Sequence, residues 1–168
     1  MNILNNKWTL WTHNQSNNWD ISGYNNLFTF DTLDDAITFN ENIDPNIVKK
    51  SMMFLMKDNI KPIWEDELNI NGGSFSYKIN EEIVNNIWKK LVYYLISMTI
   101  HNNENILNNI NGISISPKKN FCIIKLWIAN INNFDEKLYN DLINNIDIFN
   151  IHKLCNIEPQ ICIFKKYE

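Results

Sequence analysis

"KPIWEDE", residues 61–67, is the stretch on which the reading of this chain turns. The indole of Trp64 is followed at once by three carboxylates, Glu65, Asp66 and Glu67. Pro62 disfavours helix at Lys61 and cannot sit in a central strand. "NGG" follows at residues 71–73, so the whole stretch reads as a loop. Polar loops seldom carry a tryptophan, and this one stands beside a carboxylate as if held out to bind something.

The segments on either side of this loop read as an ordered domain. "KWTLWTH", residues 7–13, alternates and is aromatic, which predicts a strand. "NQSNNWDISGYNN" is a polar loop carrying one indole, Trp19. "FDTLDDAITFNENI" offers Asp31 or Thr32 as an N-cap, acids in the first turn, and Leu33, Ala36 and Ile37 at helical spacing. "SMMFLMKD", residues 51–58, predicts a strand buried on both faces, and "SFSYKI", residues 74–79, a further strand. The longest predicted helix covers about residues 80–100, where Ile83, Ile87, Leu91 and Leu95 recur every four positions. Strands at "GISIS" and "FCIIKLWIA", a helix over about residues 135–146 and a last strand "QICIF" complete the chain. Strands outnumber helices and do not alternate strictly with them. The expected fold is therefore α+β, a largely antiparallel sheet with helices on one face, in a single domain over residues 1–168.

Composition limits the function. The apolar share is 45%, and six Trp, nine Phe and six Tyr can fill a real core. All fifteen positive charges are Lys, and the chain is rich in Asn and Ile, a bias that points to an AT-rich genome. Any phosphate bound here meets point-charge ammonium groups and no bidentate guanidinium. A net charge of −4 argues against broad electrostatic binding to nucleic acid, so such a ligand requires a local basic patch and a specific pocket. The three Cys and three His show no metal-ligand spacing, and no apolar run is long enough to span a bilayer. A reduced cytoplasmic setting, with no membrane, metal or cofactor, is expected. Nucleophile elbows, HExxH and phosphate-cradling glycine loops are missing, so a binding protein is expected and not an enzyme.

Context divides the indoles. Trp8, Trp11 and Trp88 lie in periodic elements and read as core. Trp19 and Trp64 lie in polar loops, where burial is harder to arrange, and Trp127 near a strand end suits either role. Two loop indoles facing each other would form a slot for a flat ring, and a cationic ring would add cation–π attraction. Glu65 at the rim could accept two parallel N–H bonds from an amidine-like edge such as guanine N1–H with its 2-amino group.

The chain resembles the translation initiation factor 4E family, the messenger-RNA cap-binding proteins. The resemblance is carried by "LNNKWTLW" (4–11), "NNWD" (17–20), "FDTLDD" (30–35), "KDNIKPIWEDELNINGG" (57–73), "IWKKL" (87–91) and "NGISIS…KLW" ending at Trp127, in the family's order. It implies a curved antiparallel sheet backed by three helices on its convex face, with the cap in the concave mouth. It further implies that Trp19 and Trp64 sandwich 7-methylguanine and that Glu65 takes N1–H and N2–H. The backbone N–H of Trp64 would then meet O6, and Trp127 would lie near the N7-methyl group. The implied partners are capped messenger RNA and a scaffold of the initiation factor 4G type, or a divergent equivalent, for a monomeric factor in translation initiation. The alternative is a cap-binding repressor or interaction module that does not engage the standard scaffold.

Two regions depart from the family's pattern. Of three usual basic positions on the phosphate side, one is Ser74, one is Lys118, and one falls on Ile123. Lys125 shares the strand parity of Trp127, so Lys118 and Lys125, with Lys119, are the expected phosphate clamp. On the partner side, Ile37 stands where the family carries the tryptophan that grips Tyr-x4-Leu peptides, and Lys89 and Lys90 replace an apolar and an acidic residue. The expected partner face is Leu33, Ile37, Lys89, Lys90 and Tyr93, binding standard peptides weakly and a more acidic partner better. The family's C-terminal loop beside the phosphates has no counterpart before Glu168, where the sequence ends.

Overall fold

The computed structural model describes residues 2–158 and 161–168. Among the described residues, seven strands form one curved, open, wholly antiparallel sheet. They are β1 (Ile3–His13), β2 (Tyr24–Thr32), β3 (Met52–Lys57), β4 (Gly73–Asn80), β5 (Ile110–Pro117), β6 (Phe121–Ile128) and β7 (Cys162–Lys166), in the order β2-β1-β3-β5-β6-β4-β7. Of the expected last strand, Gln160 lies outside the described residues.

Among the described residues there are six α-helices, where three were expected. The three longest are α1 (Leu33–Asn42), α3 (Val84–Ile96) and α5 (Glu136–Ile143); α2 (Pro45–Lys50), α4 (Glu104–Asn108) and α6 (Ile151–Leu154) are short additions. Their starts follow local chemistry. Thr32 Oγ1 accepts from the Asp35 N–H at 3.2 Å and donates to the Asp35 carboxylate at 2.8 Å, so Thr32 and not Asp31 caps α1. Asp44 caps α2 with Pro45 behind it at the first helical position, and Asp135 caps α5.

Two apolar layers follow from the period-two alternation of the strands. Leu10, Met53, Leu55, Phe75, Ile113, Ile124 and Leu126 face the helices and pack with Ile87, Trp88, Leu91 and Leu95 of α3. Trp8 and Trp88 are fully buried there, as their periodic context predicts. The opposite, concave face carries a smaller aromatic layer of Phe54, Met56, Ile60 and Trp127, with Trp11, Tyr24, Met52 and Tyr167 against it. Trp11 thus packs away from the main core. β3 is buried on both faces because it contributes to both layers.

Candidate functional site

The loop between β3 and β4 owes its shape to two residues. Asp66 accepts from the Lys61 N–H at 3.2 Å and the Leu68 N–H at 2.9 Å, so it organises the turn rather than reading a ligand. Asn69 is fully buried, and its amide donates to the Lys61 carbonyl at 2.9 Å and the Ile63 carbonyl at 2.8 Å. Its oxygen accepts from Asn111 at 2.9 Å, which ties the loop to β5. Gly72 closes the loop against β6, where a Cβ would run into the Ile128 carbonyl. Trp64 and Glu65 are left exposed between these anchors, and Glu67 points into solvent. The backbone N–H of Trp64 donates to no other described residue.

The second indole is held differently. Trp19 is 55% exposed, yet His13 at the end of β1 lies flat against it, with centroids 4.3 Å apart and planes 14° apart. His13 is itself buried, its Nε2 lies 2.6 Å from the Asn18 carbonyl oxygen, and Tyr24 packs on it at 4.5 Å. The aromatic contacts continue from Tyr24 to Phe54, Trp127 and Tyr167, a floor running from β2 to the end of β7.

Trp19, Trp64, Glu65 and Trp127 line one cavity of about 490 Å³ on the concave face, together with Lys118, Lys125, Ile123 and Tyr24. Trp127 is fixed by its Nε1–H donating to Ser114 Oγ at 2.9 Å. Burial, and then the nearby Glu65 charge, push the Tyr24 hydroxyl up to about 12, so it stays protonated at neutral pH. Lys125 is pushed the other way, its ammonium held below the usual lysine range by burial and then by Lys165 and Lys118. Glu65 and Lys125 thus line the same cavity, with other lysines beside Lys125. Ser74, opposite Trp127 in the register, is buried and uncharged on this face.

The residues expected around the ring and its phosphates are thus brought together with one exception. Lys119 is exposed in the β5–β6 turn and does not line the cavity. Two residues outside the cavity lining, His13 behind Trp19 and Lys165 beyond Lys125, were also not anticipated. His13 replaces no motif position and is found only by its contact with Trp19. Lys165 is brought near Lys125 by the pairing of β7 with β4, a long-range register that local pattern does not carry.

On the helical face, Ile37 is exposed and Leu33 half-buried on α1. Lys89 does not present an open positive charge, because its Nζ pairs with Glu41 at 3.4 Å, and Tyr93 donates to the same carboxylate at 2.6 Å. Lys90 turns away towards α6, donating to the Cys155 carbonyl at 3.1 Å. Among the described residues no cluster of three or more His, Cys, Asp or Glu could hold a metal, and no helix is long and apolar enough to cross a membrane.

The architecture is thus an α+β fold, a curved antiparallel sheet with helices behind it and an indole-lined cavity in front. The family model "Eukaryotic initiation factor 4E" matches residues 3–161, and the chain belongs to that family. It is 31% identical over 136 residues to eukaryotic translation initiation factor 4E of Candida albicans, covering 74% of this chain and 63% of that protein. Factor 4E1 of Drosophila melanogaster is 31% identical over 142 residues, covering 80% of this chain and 53% of that protein. A homologue in Acanthamoeba polyphaga mimivirus is 27% identical over 135 residues, covering 67% of this chain and 50% of that protein. The chain therefore spans between half and two thirds of the length of these relatives. The fold is shared with Schistosome eIF4E complexed with m7GpppA and 4E-BP, at a TM-score of 0.80 and 20% identity, covering 98% of this chain and 87% of that one. It is shared also with C. elegans eIF4E-3 in complex with the 4E-binding protein Mextli and cap analog, at 0.78 and 20%, covering 98% and 91%.

Proposed function

We propose that this protein binds the 7-methylguanosine 5′ cap of messenger RNA and serves translation initiation in the cytoplasm as a binding factor, not a catalyst. The observation that carries this reading is the gathering of Trp19, Trp64, Glu65 and Trp127 around one cavity. Trp19 is covered by His13 on one face, which leaves its other face for a ligand ring. The methylated base is cationic, so stacking between Trp19 and Trp64 is reinforced by cation–π attraction. Glu65 accepts from N1–H and the 2-amino group, and the positive ring makes N1–H a stronger donor. The unpartnered N–H of Trp64 donates to O6, and Trp127 packs near the methyl group. Lys118 and Lys125 meet the phosphates. Retention on immobilised 7-methyl-GTP, with release by free 7-methyl-GTP and not by GTP, is the expected result. Equal release by both would overturn the assignment.

The Glu41–Lys89–Tyr93 cluster favours a second reading, in which cap is bound without the standard scaffold. Those groups occupy the α1–α3 surface beside Ile37, where the family's tryptophan is absent. Calorimetric titration with a Tyr-x4-Leu peptide should give weak or no binding if this reading holds, and ordinary tight binding if the protein recruits a standard scaffold.

A further inference from the structure

The concave face does not end at the slot. Across β6 and β4 the register sets Trp127 opposite Ser74, Lys125 opposite Ser76, Ile123 opposite Lys78, and Phe121 opposite Asn80. Across β4 and β7 it sets Ser74 opposite Lys165 and Ser76 opposite Ile163. Directly opposed residues share a face. Lys125, Lys78 and Lys165 therefore stand on one surface that continues from the slot to the free edge of the sheet at β7. Lys118 joins them from the β5–β6 turn. β4, β6 and β7 contain no Asp or Glu at any position, in a chain whose net charge is −4.

Among the described residues these lysines form no ion pair. The ion pairs among the described residues involve Lys7, Lys89 and His152, and none of Lys78, Lys118, Lys125 and Lys165. Lys165 and Lys118 act on Lys125 strongly enough to depress its proton affinity beyond the effect of burial. Lys78 Nζ sits 4.4 Å over the ring of Phe121, which fixes one ammonium above an aromatic face. Ile163 on β7 is 54% exposed between them. β6 and β7 are two strands apart, about 10 Å, so the ammonium groups cover a strip wider than one phosphate. Mutually repelling ammonium groups beside exposed apolar surface suit an extended polyanion whose bases can rest on the sheet.

We propose that this lysine strip on β6, β4 and β7 carries the sugar–phosphate backbone of the single-stranded RNA that follows the slot's ligand. The inference rests on the cap-binding reading. RNA is favoured over an acidic protein because the strip is continuous with the slot, and a capped chain leaving the slot past Lys118 and Lys125 meets Lys165 and Lys78 next.

The test compares 7-methyl-GTP, a capped octanucleotide and an uncapped octanucleotide on the wild type and on the Lys78→Gln/Lys165→Gln double variant. Both replaced residues are exposed, so the fold is retained. In the wild type the capped octanucleotide should bind roughly tenfold or more tighter than 7-methyl-GTP at low salt. The double variant should lose that gain, keep its affinity for 7-methyl-GTP, and show a log–log salt slope shallower by about 1.4, from two phosphate contacts at about 0.7 each. Equal affinity of the capped octanucleotide and 7-methyl-GTP in the wild type would overturn the proposal, as would an unchanged gain in the double variant. A poly-glutamate peptide that competes as well as the uncapped RNA would also overturn it. Should 7-methyl-GTP itself fail to bind, the cap reading falls. The strip is then judged on the uncapped RNA alone, where lysine-dependent binding supports it and its absence overturns it.

Discussion

His13 lies parallel to Trp19, 4.3 Å away, so the more exposed of the two slot indoles is backed by a buried ring. The stack orders Trp19 before any ligand arrives and removes part of the entropy that binding would otherwise have to overcome. Replacing His13 by Ala should weaken 7-methyl-GTP binding about three- to tenfold, the scale of one aromatic pair of ~0.5–1.5 kcal/mol. His13→Phe should restore it. Fluorescence titration of both variants checks this, and an unaffected His13→Ala would show that Trp19 needs no backing.

Asn69 does for Trp64 what His13 does for Trp19, through hydrogen bonds. Asn69→Ala leaves the Lys61 and Ile63 carbonyls and the Asn111 amide short of a buried partner. Leaving such groups unpaired costs about 1–3 kcal/mol each at most. A lower melting temperature is expected, together with a loss of 7-methyl-GTP affinity larger than that of a surface control of equal stability. Asn69→Asp should be worse, because a carboxylate would face two carbonyl oxygens.

Lys125 trades stability for binding. Its folded-state proton affinity is lowered by burial, Lys165 and Lys118, so the unfolded chain holds that proton more tightly. The charged form is therefore penalised at neutral pH, and the penalty is relieved only as pH rises through the folded value. Lys125→Met should raise the melting temperature at pH 7 and lower affinity for 7-methyl-GTP, while affinity for the bare 7-methylguanosine is kept. Equal loss for both ligands would remove Lys125 from the phosphate side.

Much of this arrangement could be read from the chain, and the failures have physical causes. β1, β3, β4, β5 and β6 announce themselves by alternation or by β-branched runs bounded by turn residues, and Thr32 and Asp135 mark helix starts. β2 escaped because its start, "YNN", continues the preceding polar loop and its next residues, Leu27 and Phe28, are exposed on an edge strand, so only pairing with β1 makes it a strand. α2 carried a legible start in Asp44 and Pro45, but six residues are too short for a periodic signal. Trp64, Glu65 and Trp19 were legible as loop residues out of keeping with their surroundings. His13 and Lys165 were not, since a stack and a two-strand register exist only in three dimensions. The charge on Lys89 was legible, but its neutralisation by Glu41 from another helix was not.

The Glu41 carboxyl is held below its usual 4.5, first by the hydrogen bond from Tyr93 and then by the charge of Lys89. A depressed carboxylate contributes stability above its unfolded value and loses it as pH falls through the folded value. Glu41→Gln should therefore lower the melting temperature slightly at pH 7. The difference from wild type should shrink as pH falls below 4.5 and vanish below the folded value. A difference that persists in strong acid would assign the loss to packing instead.

In the proposed function, Glu65 reads the edge of a methylated guanine stacked between Trp19 and Trp64. Quenching of indole fluorescence should be titrated with 7-methyl-GTP and with GTP on the wild type and on Glu65→Ala. The wild type should prefer the methylated ligand by about tenfold or more, the scale of a desolvated cation–π contact. Glu65→Ala should lose about a hundredfold or more for 7-methyl-GTP, as two hydrogen bonds to a charged acceptor disappear. Equal affinity of the wild type for both nucleotides, or an unchanged affinity in Glu65→Ala, would contradict it.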